Sequence, residues 1–102
     1  MKITQAILDS LTEQAKNSPR LRIDLDLRYS DSDSSQRMLN AIEPGSQLPI
    51  HRHQKTSETV VCLRGRLVEE FWHTVKALES GTVILEMKNG AYEPLSDVDI
   101  LK

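Results

Sequence analysis

A single cysteine, Cys62, stands in this chain of 102 residues. No internal disulfide can brace it, which agrees with a reducing compartment. No apolar run approaches the roughly 20 residues that a membrane-crossing helix needs. The first stretch, MKITQAILDSLTEQAKNSPR, sets acidic and amide residues at regular intervals where a secretory signal would need an apolar core. A cytoplasmic location is therefore expected. Charge of one sign is also lacking: 13 basic and 15 acidic residues leave a net charge of -2, and lysines and arginines form no cluster. That removes the electrostatic case for nucleic acid or an anionic membrane. The sequence has no internal repeat, no Gly-rich phosphate loop and no dinucleotide fingerprint, and the Asp-Ser steps at Asp31 and Asp33 lack an EF-hand's ligand ladder. What remains is one domain, small enough that an ion bound by the folded state alone would add materially to stability.

The chain divides into a short helix and a β-rich remainder. Ile3, Ile7, Leu8, Leu11 and Ala15 fall at helical spacing, Thr4 can cap the start, and Asn17, Ser18 and Pro19 stop it. Leu21, Ile23, Leu25, Leu27 and Tyr29 then alternate with Arg20, Arg22, Asp24, Asp26 and Arg28, a period of two that predicts a strand with a charged, solvated face. Residues 30–35 read as a polar loop, and 36–42 as a strand ended by Glu43, Pro44 and Gly45. The apolar run 59–63 predicts a strand that buries Cys62 as a small hydrophobe. Glu79, Ser80 and Gly81 separate two further strands, Asn89 and Gly90 form a hairpin-type turn signal, and 96–102 is a short tail. Short strands punctuated by glycine turns predict an all-β sandwich or barrel.

The densest chemistry lies between Gly45 and Gly65. His51 and His53, two apart on a strand, point to one side and can share an ion. Glu58, five residues on, would complete a mixed imidazole and carboxylate set of the kind that Fe, Mn, Ni, Cu or Zn accepts, and the two glycines would mark the bends of this unit. The spacing Gly-x5-His-x-His-x4-Glu-x6-Gly resembles the first motif of the cupin superfamily at every fixed position. With SPRLR, QRMLNAIEPG and GTVILEMKNGAYEP, the chain is similar to the WbuC family of small cupin fold metalloproteins over residues 18–95. The resemblance implies a single small cupin domain spanning 1–102, a double-stranded β-helix or jelly-roll barrel over about 20–95 with a helix over about 4–16. It also implies one divalent transition metal ion, with His73 as fourth ligand.

The second cupin motif is not matched: counting back from His73 puts Cys62, Val68 and Glu70 where Gly, Pro and Gly belong. No turn signal stands in residues 66–78, which read literally are one strand of roughly 40 Å, beyond the common range. The expectation is that a segment on the order of 15 or more residues, two strands and a turn, is absent between about Phe71 and Trp72.

Each candidate has a bland alternative. A histidine pair can simply face solvent, and His73 alone would be a packing or surface residue. Trp72 reads as core or pocket wall, Met38 and Met87 as core, and Tyr29 and Tyr92 have no partner that spacing reveals. Arg37 and Lys55 could hold an anionic group, although charged strand residues more often face water. The functional expectation is a small metalloenzyme acting on a sugar derivative or other small polar molecule. The carbohydrate leaning comes from the family's association with polysaccharide biosynthesis. Three imidazoles and one carboxylate leave open positions at which the ion could polarise a carbonyl, activate water or, as iron, bind dioxygen. A non-catalytic metal-dependent binding or sensing module is the alternative, since no general base outside the ligand set stands out. A third reading makes the ion a structural staple. Pairing through sheet edges predicts a homodimer.

Overall fold

The computed structural model describes residues 2–46, 48–49, 58–70 and 74–89. Helix α1 (Gln5–Lys16) begins where the Thr4 hydroxyl accepts the Ile7 N–H at 3.3 Å and ends at Asn17, whose N–H reaches back to the last turn. Both caps were expected, because capping is decided by residues adjacent in sequence. Seven strands follow: β1 (Arg22–Asp26), β2 (Ser35–Ile42), β3 (Leu48–Pro49), β4 (Glu58–Arg64), β5 (Leu67–Glu70), β6 (Thr74–Ala77) and β7 (Thr82–Asn89). They form two antiparallel sheets, β1-β2-β7-β4 and β3-β6-β5. The chain is thus β-rich with one short N-terminal helix.

Alternation along the strands gives the four-stranded sheet two different faces. On one, Leu39, Ala41 and Val83 pack against Leu8, Leu11 and Ala15 of α1, with Ile23, Leu25 and Leu85 at the margin. On the other, Ile42 and Ile84 meet Val75 and Ala77 of the second sheet. The core is therefore helix on sheet on sheet.

Two sequence readings are corrected, and a third is made more definite. β1 is shorter than the alternation suggests. Leu21 lies in the left-handed region (φ 56) before it, and past its end the Asp26 carboxylate accepts the Arg28 N–H at 2.9 Å and turns the chain. Residues 66–78, expected not to continue as one strand, form two: Glu70 pairs with Thr74 and Leu67 with Ala77, so the chain reverses between β5 and β6. The place of the expected missing segment, at Phe71 and Trp72, lies outside the described residues. Cys62 is exposed, not buried. Its strand β4 is the sheet edge, whereas α1 packs chiefly on β1, β2 and β7, so apolar sequence there does not become core. Val60, Val61 and Leu63 are exposed for the same reason.

Gly45 (φ 99) and Gly65 (φ 85) both adopt left-handed backbone, as the bends of the histidine-bearing unit require. Just before Gly65, the ladder between β4 and β7 slips between Cys62 and Arg64. That irregularity lets Arg64 reach the helix side, where it donates to Asp9 at 2.7 Å, the Thr12 hydroxyl at 2.8 Å and the Gly81 carbonyl at 2.8 Å. One side chain thereby ties α1 to the sheet.

Candidate functional site

Of the four expected metal ligands, His51, His53 and His73 lie outside the described residues, as do Trp72, Lys55 and Tyr92. Glu58 opens β4 opposite Lys88. Two described strands border the histidines in sequence. Pro49 pairs with Thr74 and Leu48 with Val75, so the strand leading toward His51 and the strand emerging from His73 share a rung. Among the described residues no three His, Cys, Asp or Glu groups cluster as a metal site would need.

The sheet face opposite α1 is chemically divided. Beyond Ile42 and Ile84 its central strands turn polar, and register aligns Asn40 with Ile84, Met38 with Glu86, and Gln36 with Lys88, the last in line with Glu58. Two adjoining cavities open on this face. One, of ≈ 120 Å³, is lined among the described residues by Asp26, Arg28, Gln36, Arg37, Met38, Glu86 and Lys88. The other, of ≈ 200 Å³, is lined by Arg20, Arg22, Ile23, Asp24, Met38, Asn40 and Glu86. Met38 and Glu86 belong to both.

Fixed ion pairs shape the walls. Arg28 grips Asp26 through Nε at 2.9 Å and one terminal nitrogen at 2.7 Å, a bidentate contact. The Arg28 side-chain hydrogen bonds hold the Asp26 carboxyl below the usual range, and the same bonds raise Arg28. Arg37 donates to the Leu27 carbonyl at 3.1 Å and to Asp33 at 3.2 Å, and its guanidinium lies 5.4 Å from the centre of the Tyr29 ring. Arg22 differs: burial pushes its pKa down, and the charge of Arg20 pushes it further, with Asp24 opposing.

Asp33 organises the 30–35 loop. Its carboxylate accepts the Ser35 N–H at 2.9 Å and the Tyr29 N–H at 3.2 Å, and these backbone bonds lower its pKa. A carboxyl depressed in the folded state contributes stability above its unfolded value of about 3.9, and that contribution is lost as pH falls through the lower folded value. The Tyr29 and Ser35 amide resonances are accordingly expected to titrate together with a midpoint below about 3.9, and Asp33→Asn to abolish the titration. A midpoint at the ordinary aspartate value would refute this account of the loop.

The charged alternation of β1 was read as a solvated face. Asp24 and Asp26 are indeed exposed, but Arg22 and Arg28 are half-buried and line the cavities. Gln36, Glu86 and Lys88 went unnoticed; their only signal was polar residues at the inward period of strands that prove central. A family model described as Domain of unknown function (DUF6016) matches residues 3–84, a span that includes all four candidate ligand positions. No curated protein and no solved structure matches the chain.

Proposed function

We infer function from this protein's own residues, because the chain belongs to a family described as a domain of unknown function, DUF6016. The reading best supported is a metal-binding protein of the cupin type, a small cytoplasmic metalloenzyme acting on a sugar derivative or other small polar molecule. The observation that carries it is the Pro49–Thr74 rung. His51 and His53 follow Pro49 by two and four residues, and His73 immediately precedes Thr74. Paired antiparallel residues sit about 5 Å apart, so the described strands that border His51 and His73 in sequence are direct neighbours, which supports a shared site. The match of Gly45, His51, His53, Glu58 and Gly65 to the first cupin motif, and two antiparallel sheets with an N-terminal helix, support a jelly-roll barrel.

Three imidazoles and one carboxylate fit a single divalent Fe, Mn, Ni, Cu or Zn ion. When bound, such an ion supplies a Lewis acid with open positions and, if redox-active, an electron donor or acceptor. The chain's own contribution is the polar sheet face beside Glu58, which can orient a ligand through Gln36 and Lys88. The exposed edge of β4, with Val60 at 44% and Val61 at 40% exposure, supports assembly as a homodimer.

The test is metal content by inductively coupled plasma mass spectrometry on tag-free protein and on a His51→Ala/His53→Ala variant prepared identically. The expected result is near-stoichiometric metal in the first and its loss in the second. Metal-free wild-type protein that cannot be reloaded would overturn the reading.

A further inference from the structure

We propose that two copies of this chain join through the free edge of β4, each β4 antiparallel to the other, so that two four-stranded sheets become one continuous sheet. Residues 59–63 contain no charge, no proline and no glycine. Register puts Val60 and Cys62 on the side of the second sheet, beside Glu86 and Ile84, and Val61 on the side of α1, beside Leu85. Val60, Val61, Cys62 and Leu63 are all exposed. Strand β4 is thus uncovered on both faces, and its outer edge meets no strand among the described residues. A helix laid on one face would answer only part of this. A further strand takes up the outer N–H and C=O groups and brings side chains to both faces at once.

The molecule's other edges say which strand that is. Among the described residues one sheet ends in β1 and β4, the other in β3 and β5. β1 carries Arg22, Asp24 and Asp26, β3 is two residues long and ends in Pro49, which has no N–H to donate, and β5 carries Glu69 and Glu70. Charge, proline and shortness each discourage pairing. Residues 59–63 of β4 have none of these devices, and Arg64 beyond them is already matched by Asp9 at 2.7 Å. Against β1 or β5 the apolar run would face charges, whereas against a second β4 uncharged residues meet uncharged residues on both faces. Pairing about a two-fold axis is antiparallel and keeps both α1 helices on one face of the joined sheet. Once two β4 edges have met, the remaining described edges are the protected ones, so the assembly closes at two copies and does not grow into a fibre. The slip between Cys62 and Arg64 bends one end of β4, which places the axis near Val60 and Val61.

The inference deepens the homodimer of the proposed function, rests on that reading, and is independent of the ion. The test is sedimentation equilibrium of the tag-free protein over a range of concentrations, beside Val61→Lys and, on the protected edge β5, Val68→Lys. Both valines are exposed, and each variant is first shown to melt cooperatively. The wild type is expected to form a dimer. Val61→Lys, which brings two like charges together near the axis, should weaken it at least about tenfold, whereas Val68→Lys should leave it unchanged. In a Cys62→Ser background, mild oxidation of Val60→Cys or Val61→Cys should give a disulfide-linked dimer, because residues opposed across an antiparallel pair lie within disulfide range, and Val68→Cys should not. The His51→Ala/His53→Ala variant, once shown to melt cooperatively, should dimerise as the wild type does, which separates this proposal from the metal's fate. A dimer that Val61→Lys leaves intact would overturn the β4 contact while keeping the homodimer. A monomer at every concentration, equal weakening by Val68→Lys, no cross-link at either position, or loss of the dimer with the histidines would each overturn the proposal as well.

Discussion

Gly65→Ala is expected to cost about 2–5 kcal/mol of folding stability, from left-handed backbone and overpacking together. Gly65 has φ 85, and a Cβ there would stand 2.6 Å from Thr82 Cα and 2.9 Å from Thr82 Cβ, besides overlapping the hydroxyl. Thr82 cannot yield. It is fully buried at the start of a central strand, and its hydroxyl donates to the Glu79 carbonyl at 2.8 Å and accepts the Arg66 N–H at 3.2 Å. Gly81 provides the comparison, since its φ of 84 is nearly the same but the nearest atom to an added Cβ is 3.7 Å away. Gly81→Ala should therefore show the backbone cost alone, about 1–2 kcal/mol. Urea denaturation of both variants measures the difference, and equal losses would show that contact with Thr82 is not what requires glycine. Gly65 is the last fixed position of the unit that holds the candidate ligands, so packing explains its presence there independently of any ion.

The helix and the bends were legible because they depend on neighbours in sequence: Thr4 and Asn17 cap, and Gly45 and Gly65 turn. The fate of residues 59–63 was not legible. A β-branched apolar run reads alike on a central and an edge strand, and only the sheet order, with β4 outermost, leaves Cys62 exposed. The β5–β6 reversal escaped for a different reason. Its connecting residues, Phe71, Trp72 and His73, carry none of the Gly, Pro, Asn or Asp chemistry that marks turns.

The candidate site divides along the same line. Histidine spacing and the paired glycines are local patterns and could be read directly, whereas the Pro49–Thr74 rung, which makes neighbours of the strands bordering His51 and His73 in sequence, was concealed by sequence distance. The polar face with its two cavities is a property of three strands in register. Arg22, Asp26 and Arg28 announced a charged face, but whether that face meets water or a second layer depends on where β3, β5 and β6 stop covering it. A period of two gives the face and says nothing of its neighbour.

Glu43→Ala is expected to destabilise the fold by about 3 kcal/mol, the scale of two hydrogen bonds to a charged acceptor. Glu43 follows β2 and is 7% exposed. One carboxylate oxygen accepts the Ser80 hydroxyl at 2.6 Å and the other the Gly81 N–H at 2.7 Å, while its own N–H donates to the Leu21 carbonyl at 2.9 Å. The side chain thus fastens the end of β2 to the turn between β6 and β7, and alanine would leave both donors without that acceptor. Glu43→Gln keeps an oxygen for the Gly81 N–H and lets the Ser80 hydroxyl turn to accept the new amide N–H, but it removes the charge from both bonds, so about half the loss is expected, roughly 1–2 kcal/mol. Chemical denaturation of the series decides the matter. A loss below about 0.5 kcal/mol for alanine, the size of an ordinary surface change, would mean that water replaces the carboxylate and that the clasp is incidental. The expected gradation from Glu through Gln to Ala would instead identify Glu43 as the strut that holds the start of the Gly45 turn against β6, and so holds the two stems from which His51 and His73 depart.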